Sequence, residues 1–168
     1  QDYAKRNNVT MAAGPCAVES VEQTMSMALK IGKAALIARD YGIDVVFRGG
    51  AWKPRTKYYV TNGHGKKERV FEGTREEGLT WLAQASKNFD LPIVSEIMDA
   101  MDMRHFLREL DPKRDYFQVG ARNSQAFGLL YAVGGTNFGV VVKNPQHGVL
   151  PAEAVGSVER MKNNREVV

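Results

Sequence analysis

The chain has 168 residues, 43% hydrophobic and 25% charged, with a net charge of +4 and a single cysteine. That balance fits one globular domain with room for a real core, and it excludes an internal disulfide framework. No apolar run nears membrane-spanning length, and Gln1-Asp2-Tyr3-Ala4-Lys5-Arg6 carries no signal-type apolar segment. The modest positive charge suits anionic small molecules as well as nucleic acid, so charge alone does not choose between them. With no initiator Met, the expectation is that Gln1 is not the natural start.

In chain order, Val9–Ala13 reads as a short apolar strand that Gly14-Pro15 ends. Ser20 and Gln23 have capping-box spacing, and Met25, Met27, Ala28, Ile31, Ala34, Ala35 and Ile37 give the following helix a broad apolar face. Its expected end is near Tyr41, where Gly42 stops it. Residues 45–47 form the second strand. Residues 57–73 are polar and irregular, and read as an inserted β-hairpin around an Asn62-Gly63 turn. Thr74 and Glu77 repeat the capping-box spacing, predicting a helix to about Asn88.

Residues 91–96 form a third strand. Asp99 and Asp102 introduce a helix carrying Met103, Phe106, Leu107 and Leu110, which Asp111-Pro112 closes. Residues 116–120 are the fourth strand, residues 124–133 a helix, and residues 139–143 the fifth strand. Pro151 suits the first turn of a helix running to about Met161. Glu166-Val167-Val168 reads as a sixth strand just starting.

Five alternations of strand and helix imply parallel strands with right-handed crossovers, in a (β/α)8 barrel or an open doubly wound sheet. Either fold places its ligand site beyond the C-terminal ends of the strands. Cys16 and Glu19 follow the first strand, and Arg48, Lys53, Arg55 and Thr56 the second. Glu96 ends the third, Gly120-Ala121-Arg122-Asn123 follow the fourth, and Lys143 ends the fifth. Five cations and two carboxylates thus converge on one face, which suits a substrate set with more than one phosphate, or a phosphate and a carboxylate.

Within that face, Gly49-Gly50 would let backbone amides approach an anion. Glu96 would orient a water or a lysine, or else serve as a structural partner of Arg48 or Lys143. Cys16 among cations favours its thiolate and would suit a divalent metal, the alternative being a small buried hydrophobe. His64, in the hairpin turn, and His105, on a helix, are expected to be solvated. His147 would border the site.

Four motifs stand in register at these strand ends. They are Ala13-Gly14-Pro15-Cys16-Ala17-Val18-Glu19-Ser20, Phe47-Arg48-Gly49-Gly50-Ala51-Trp52-Lys53-Pro54-Arg55-Thr56, Gln118-Val119-Gly120-Ala121-Arg122-Asn123, and Lys143. Together they resemble the type I 3-deoxy-D-arabino-heptulosonate 7-phosphate (DAHP) synthases over about residues 9–143. The resemblance implies an α/β fold, a (β/α)8 TIM barrel of which about five βα units and the start of strand six are present in a single incomplete domain, residues 1–168. The implied activity condenses phosphoenolpyruvate with erythrose 4-phosphate and water to give DAHP and phosphate, opening the shikimate pathway to the aromatic amino acids.

By position, the resemblance implies that Arg48, Lys53, Arg122 and Lys143 hold phosphoenolpyruvate, with Gly120 and Ala121 lending backbone. It gives the aldose phosphate to Lys53, Pro54, Arg55 and Thr56, and catalytic roles to Lys53 and Glu96. Cys16 would be the first ligand of a divalent metal, Mn²⁺ or similar. The implied setting is cytoplasmic, with small phosphorylated partners rather than nucleic acid or membrane, and with a homo-oligomeric full-length enzyme. The alternatives are a related phosphoenolpyruvate-condensing enzyme, such as one making the eight-carbon KDO8P, and a non-catalytic anion-binding remnant of the barrel.

Two departures stand out. Residues 57–73 are longer than the family's simpler forms, and residues 144–148 resemble its longer subclass. The family's remaining His, Glu and Asp metal ligands would lie beyond Val168. The expectation is therefore about two thirds of the enzyme, inactive alone.

Overall fold

Residues 9–144 and 150–168 are described by the computed structural model. β1 (Val9–Ala13) leads to α1 (Val21–Asp40), which starts where expected. The Ser20 hydroxyl accepts the Gln23 N–H at 3.1 Å, while Gln23 Oε1 accepts the Glu19 N–H at 2.9 Å, one residue before the cap. The return half of the box is thus displaced by a residue. Gly42, at φ 71°, ends the helix in the left-handed conformation that glycine tolerates. β2 (Ile43–Arg48) follows.

β3 (Tyr59–Thr61) and β4 (Lys67–Arg69) make the expected hairpin, with a different turn. Thr61 pairs with Lys67, leaving residues 62–66 as the connection. Asn62 Oδ1 accepts the N–H groups of His64 and Lys66, each at 3.0 Å, and this bonding sets a wider loop than a two-residue Asn-Gly turn. α2 (Arg75–Phe89) lacks the expected Thr74 capping box, because the Thr74 hydroxyl donates to the Val18 carbonyl at 3.0 Å instead.

β5 (Ile93–Ile97) is followed by a 3₁₀ turn (Ala100–Asp102), which Asp99 caps by accepting the Met101 N–H, and by α3 (Met103–Glu109). β6 (Tyr116–Val119) precedes α4 (Phe127–Gly134). α4 begins three residues later than expected, because Ser124 Oγ donates to the Ala121 carbonyl at 3.0 Å in a run of turns. β7 (Gly139–Val142), α5 (Pro151–Glu159) and β8 (Glu166–Val167) complete the order.

Setting the hairpin aside, six strands form one parallel sheet in the order β1-β2-β5-β6-β7-β8. A doubly wound sheet reverses its strand order at a switch point; this sheet never does. Neighbour following neighbour is barrel order, and the sheet curls as a partial (β/α)8 barrel.

The faces follow from the two-residue period of the strands. Phe47, Ile93, Ile97, Phe117, Val119 and Val140 are buried against the helices. A run of aromatic contacts continues this layer: Trp52 stacks on Phe106 at 5.3 Å, Phe106 meets Phe117 at 5.1 Å, and Phe117 meets Phe138 at 4.6 Å. Each such pair adds about 0.5–1.5 kcal/mol beyond area burial, so the loop after β2 is anchored deep in the core. On the concave face, Thr10, Ala12, Val46, Val94, Tyr116, Val141, Glu166 and Val168 line a cleft of about 320 Å³. Two residues on from Val46, Val94, Tyr116 and Val141 come Arg48, Glu96, Gln118 and Lys143. The alternation therefore delivers the polar side chains to one end of the concave face.

A buried carboxylate pins the other end. Asp115 Oδ1 accepts the Ile93 N–H and Oδ2 the Asp111 N–H, both at 2.9 Å. It fixes the start of β5 against the turn before β6.

Candidate active site at the C-terminal rim

Arg48 ends β2, and the glycine pair behind it turns out to serve packing. The Gly49 N–H donates to the Val94 carbonyl at 3.1 Å, so it continues the sheet rather than facing an anion. A Cβ on Gly49 would lie 2.6 Å from a Leu82 methyl, and one on Gly50 would lie 2.7 Å from the Cys16 carbonyl oxygen. The glycines bring the β1 and β2 loops and α2 together, and the Gly49 amide, expected to face a ligand, is spent within the sheet.

That closeness is what lets Lys53 reach Cys16. Lys53 Nζ donates to the Cys16 carbonyl at 2.6 Å and lies 3.3 Å from Cys16 Sγ. The lysine is buried while the cysteine is exposed. Arg48 Nη1 approaches the Pro15 carbonyl at 3.5 Å, the loose end of the same cluster. The Cys16 thiol is held below its ordinary value, chiefly by the Lys53 hydrogen bond. Partial burial opposes this, and the Lys53 charge and Arg48 add to it.

Glu96 is buried at 8% exposure, and its neighbour across the ladder, Gln118, donates Nε2–H to Glu96 Oε2 at 3.2 Å. No ion pair to Glu96 forms among the described residues, so it is not a structural partner of Arg48 or Lys143 here. Gly120 is the floor under this carboxylate: a Cβ there would lie 2.0 Å from Glu96 Oε1.

Arg122 crosses from the β6 loop to the β2 loop. Its Nη1 donates to the Pro54 carbonyl and its Nη2 to Thr56 Oγ1, both at 3.2 Å. The guanidinium thus touches the segment expected to take the aldose phosphate, although the expectation assigned Arg122 to phosphoenolpyruvate. Arg55 Nε donates to the Phe71 carbonyl at 3.0 Å, tying that segment to the loop between β4 and α2. Lys143 is exposed just beyond β7 and lines a separate small cleft with Ser124, Asn144 and Ser157. Ala121 precedes Arg122 in the same turn, and the Glu19 N–H is spent on Gln23 at the start of α1.

The structure thus gathers Cys16, Arg48 and Lys53 in one cluster, Glu96, Gln118 and Gly120 in a second, and Pro54, Thr56 and Arg122 in a third. All three lie at the C-terminal ends of parallel strands, with Lys143 beside them on the same rim. Gln118 was not singled out from sequence, though the alternation of β6 beside Glu96 contained the signal.

His64 is exposed as expected. His105 is not: it is 8% exposed, its Nε2 lies 2.8 Å from Glu76 Oε1, and its ring sits 6.4 Å from that of Trp52. α3 buries this position against α2 and the Trp52 anchor, a tertiary contact that helical periodicity did not reveal. His147 lies outside the described residues. Among the described residues no three His, Cys, Asp or Glu side chains gather as a metal-binding group. Cys16 suits a single ligand position, being exposed and biased toward its thiolate.

Fold and rim together define a barrel-type βα protein whose strand ends carry cations, a buried carboxylate and a thiol on one rim. The chain belongs to the DAHP synthetase I family, whose model matches residues 4–167. It is 34% identical over 134 residues to a phospho-2-dehydro-3-deoxyheptonate aldolase of Thermotoga maritima, a match covering 80% of this chain and 33% of that protein. A crystal structure of the enzyme of that name, also called DAHP synthase, from the same organism aligns with a TM-score of 0.73 and 29% identity. That alignment covers 96% of this chain and 41% of the other. A truncated form of 3-deoxy-D-arabino-heptulosonate 7-phosphate synthase from Thermotoga maritima gives 0.70 and 27%, covering 96% and 50%. The chain spans a third to a half of the length of these relatives, a smaller share than the two thirds expected from the motifs.

Proposed function

We propose that this chain serves the DAHP synthase reaction, the condensation of phosphoenolpyruvate with erythrose 4-phosphate and water to give DAHP and phosphate. The observation that carries this reading is the meeting of Arg48, Lys53 and Cys16 at one rim with Glu96 and Arg122 arriving from neighbouring strands. It is supported by family membership and by the name of the relative.

In this reading, Arg48, Lys53, Arg122 and Lys143 bind the phosphate and carboxylate of phosphoenolpyruvate, with the Gly120-Ala121 backbone beneath it. Pro54, Arg55 and Thr56, joined by Lys53, take the aldose phosphate. The C3 carbon of phosphoenolpyruvate forms a bond to the aldehyde carbon, water adds at C2, and the phosphate leaves from C2 with its bridging oxygen. Glu96, ordered by Gln118, orients that water and accepts its proton, while Lys53 donates toward the developing oxyanion. Cys16 is one ligand of a divalent ion, Mn²⁺ or similar, which when bound supplies Lewis acidity to the aldehyde oxygen. The setting is cytoplasmic and the whole enzyme homo-oligomeric. Among the described residues no helix is long and apolar enough to cross a membrane.

Calorimetric titration of phosphoenolpyruvate into the chain tests the reading. Binding should appear and weaken by about 10–100-fold in Arg48→Ala, as loss of a charge-assisted contact dictates. Equal affinity in parent and variant, or no binding at millimolar ligand, overturns it. If arabinose 5-phosphate follows phosphoenolpyruvate onto the protein more tightly than erythrose 4-phosphate, the aldose assignment is wrong.

A further inference from the structure

The corner that opens α2 is bonded to both loops that carry the rim's reactive side chains. The Thr74 hydroxyl donates to the Val18 carbonyl at 3.0 Å, two residues beyond Cys16. The Glu72 carbonyl accepts the Lys53 N–H at 2.9 Å, and the Arg75 N–H donates to the Ala51 carbonyl at 2.9 Å. The Val18 N–H donates to the Gly50 carbonyl at 3.0 Å and closes the ring of contacts.

The corner holds conformations that the chain would otherwise avoid. Arg75 sits at φ 53°, left-handed although it bears a side chain. Gly73 sits at φ 104°, and a Cβ there would be 2.0 Å from the Ala51 carbonyl oxygen. A Cβ on Gly78, one turn along α2, would be 2.0 Å from Thr74 Oγ1. A threonine preceding a helix ordinarily satisfies that helix's own free amides. Thr74 makes no such bond and spends its hydroxyl on the β1 loop. Strain held in place by surrounding contacts is the pattern found where geometry matters to a site.

We propose that Thr74 is a positioning residue: its hydroxyl holds the loop bearing Cys16 against the loop bearing Lys53 and so sets the contact between those two side chains. This rests on the reading of that rim as the reactive end of the site, but its test needs no substrate. Cys16 is the only cysteine in the chain, so mass-spectrometric alkylation by iodoacetamide reports on it alone. At alkaline pH, where the thiol is ionised in parent and variants alike, Thr74→Val, which removes the donor at nearly constant volume, should speed alkylation by about threefold as the sulfur is freed from its contact with Lys53 Nζ, 3.3 Å away in the parent. Thr74→Ser keeps the donor and should alkylate at the parental rate. Both should retain cooperative thermal unfolding; if Thr74→Val does not fold, Thr74→Ala provides the same readout.

A donor-free variant that alkylates at the parental rate, whatever its Tm, overturns the proposal, since the Lys53–Cys16 contact then survives without the tie. So does Thr74→Ser behaving like Thr74→Val, since the hydroxyl would then not be what holds the contact. Failure of phosphoenolpyruvate to bind would remove the functional reading and leave this result intact.

Discussion

Lys53 Nζ reaches back across the rim to Cys16, 2.6 Å from its carbonyl oxygen and 3.3 Å from its sulfur. One ammonium therefore both fixes the backbone of the β1 loop and favours the thiolate. Removing it as Lys53→Met should raise the Cys16 pKa, because the largest lowering contribution is the hydrogen bond from Lys53. The rate of iodoacetamide alkylation against pH measures this directly. Parental protein should reach half-maximal rate below the pH of an ordinary thiol, and Lys53→Met above the parental midpoint. Superimposed profiles would show that the contact does not govern the thiol.

Gly120 leaves no room for a side chain beside Glu96. Gly120→Ala should push the buried carboxylate off Gln118 and cost about 1–3 kcal/mol by overpacking. Urea denaturation gives the stability loss. Gln118→Leu is the complementary variant: it removes the donor at 3.2 Å and leaves Glu96 with its room. If Gly120→Ala unfolds with the parental midpoint, the close approach is not a constraint in solution.

Arg122 spans two expected subsites, so its loss should be felt at both. Arg122→Ala should weaken phosphoenolpyruvate binding by about 1.5–3 kcal/mol and also loosen the Pro54–Thr56 segment. Arg55→Ala should act mainly on erythrose 4-phosphate. Arg122→Lys should not restore the parental behaviour, because one ammonium cannot serve two diverging acceptors as a guanidinium does. Paired titrations with the two ligands decide this; an Arg55→Ala defect confined to phosphoenolpyruvate would reverse the division of roles.

The fold was legible because its signals are local and periodic. Apolar runs at Val9–Ala13, Ile43–Arg48, Ile93–Ile97, Tyr116–Val119 and Gly139–Val142 alternate with amphipathic helices, and strand ends reveal themselves where charge replaces apolar residues. The rim was legible for the same reason, since a cation or carboxylate after each strand needs no tertiary information to be noticed. Less legible were the features that depend on contacts across the chain. Thr74 looked like a cap because its spacing to Glu77 is right, yet a distant carbonyl competes for its hydroxyl. His105 looked solvated because nothing local marks the helix face that packs on Trp52. Gly49 looked like an anion cradle, yet its N–H is spent on the Val94 carbonyl across the sheet.

Asp115 should make stability depend on pH. Burial raises its pKa above the ordinary carboxylate value, against the opposing hydrogen bonds from Asp111 and Ile93 and the charge of Arg114. A carboxyl whose pKa is raised by folding favours the fold most when protonated. Its contribution is therefore full below the unfolded pKa and is lost as pH rises through the folded one. Asp115→Ala should cost about 2–4 kcal/mol by leaving two buried amides unmatched. The gap between parent and variant should narrow as pH rises from acid toward neutral. Denaturation curves across that range measure it, and a gap that widens with pH contradicts the assignment.

Among the described residues no group of three metal donors forms, and the proposed reading draws only one, Cys16, from this chain. Catalytic metal sites ordinarily hold three or more protein ligands. The 168-residue chain given both substrates and Mn²⁺ should then release phosphate no faster than its Cys16→Ala variant. Clear turnover above that control would reveal a metal site assembled in another way.

Because the sheet follows chain order without a reversal, each strand pairs with one that the ribosome has already released. Loop closure is confined to one βα unit at a time, and no early strand has to wait for a late one within this sheet. The hypothesis that follows is vectorial folding, each unit docking on the last as it emerges. Stalled nascent chains offer the check: those arrested once β5 has cleared the exit tunnel should already protect the β2 amides from exchange, whereas protection appearing only after β8 would mean the sheet forms all at once.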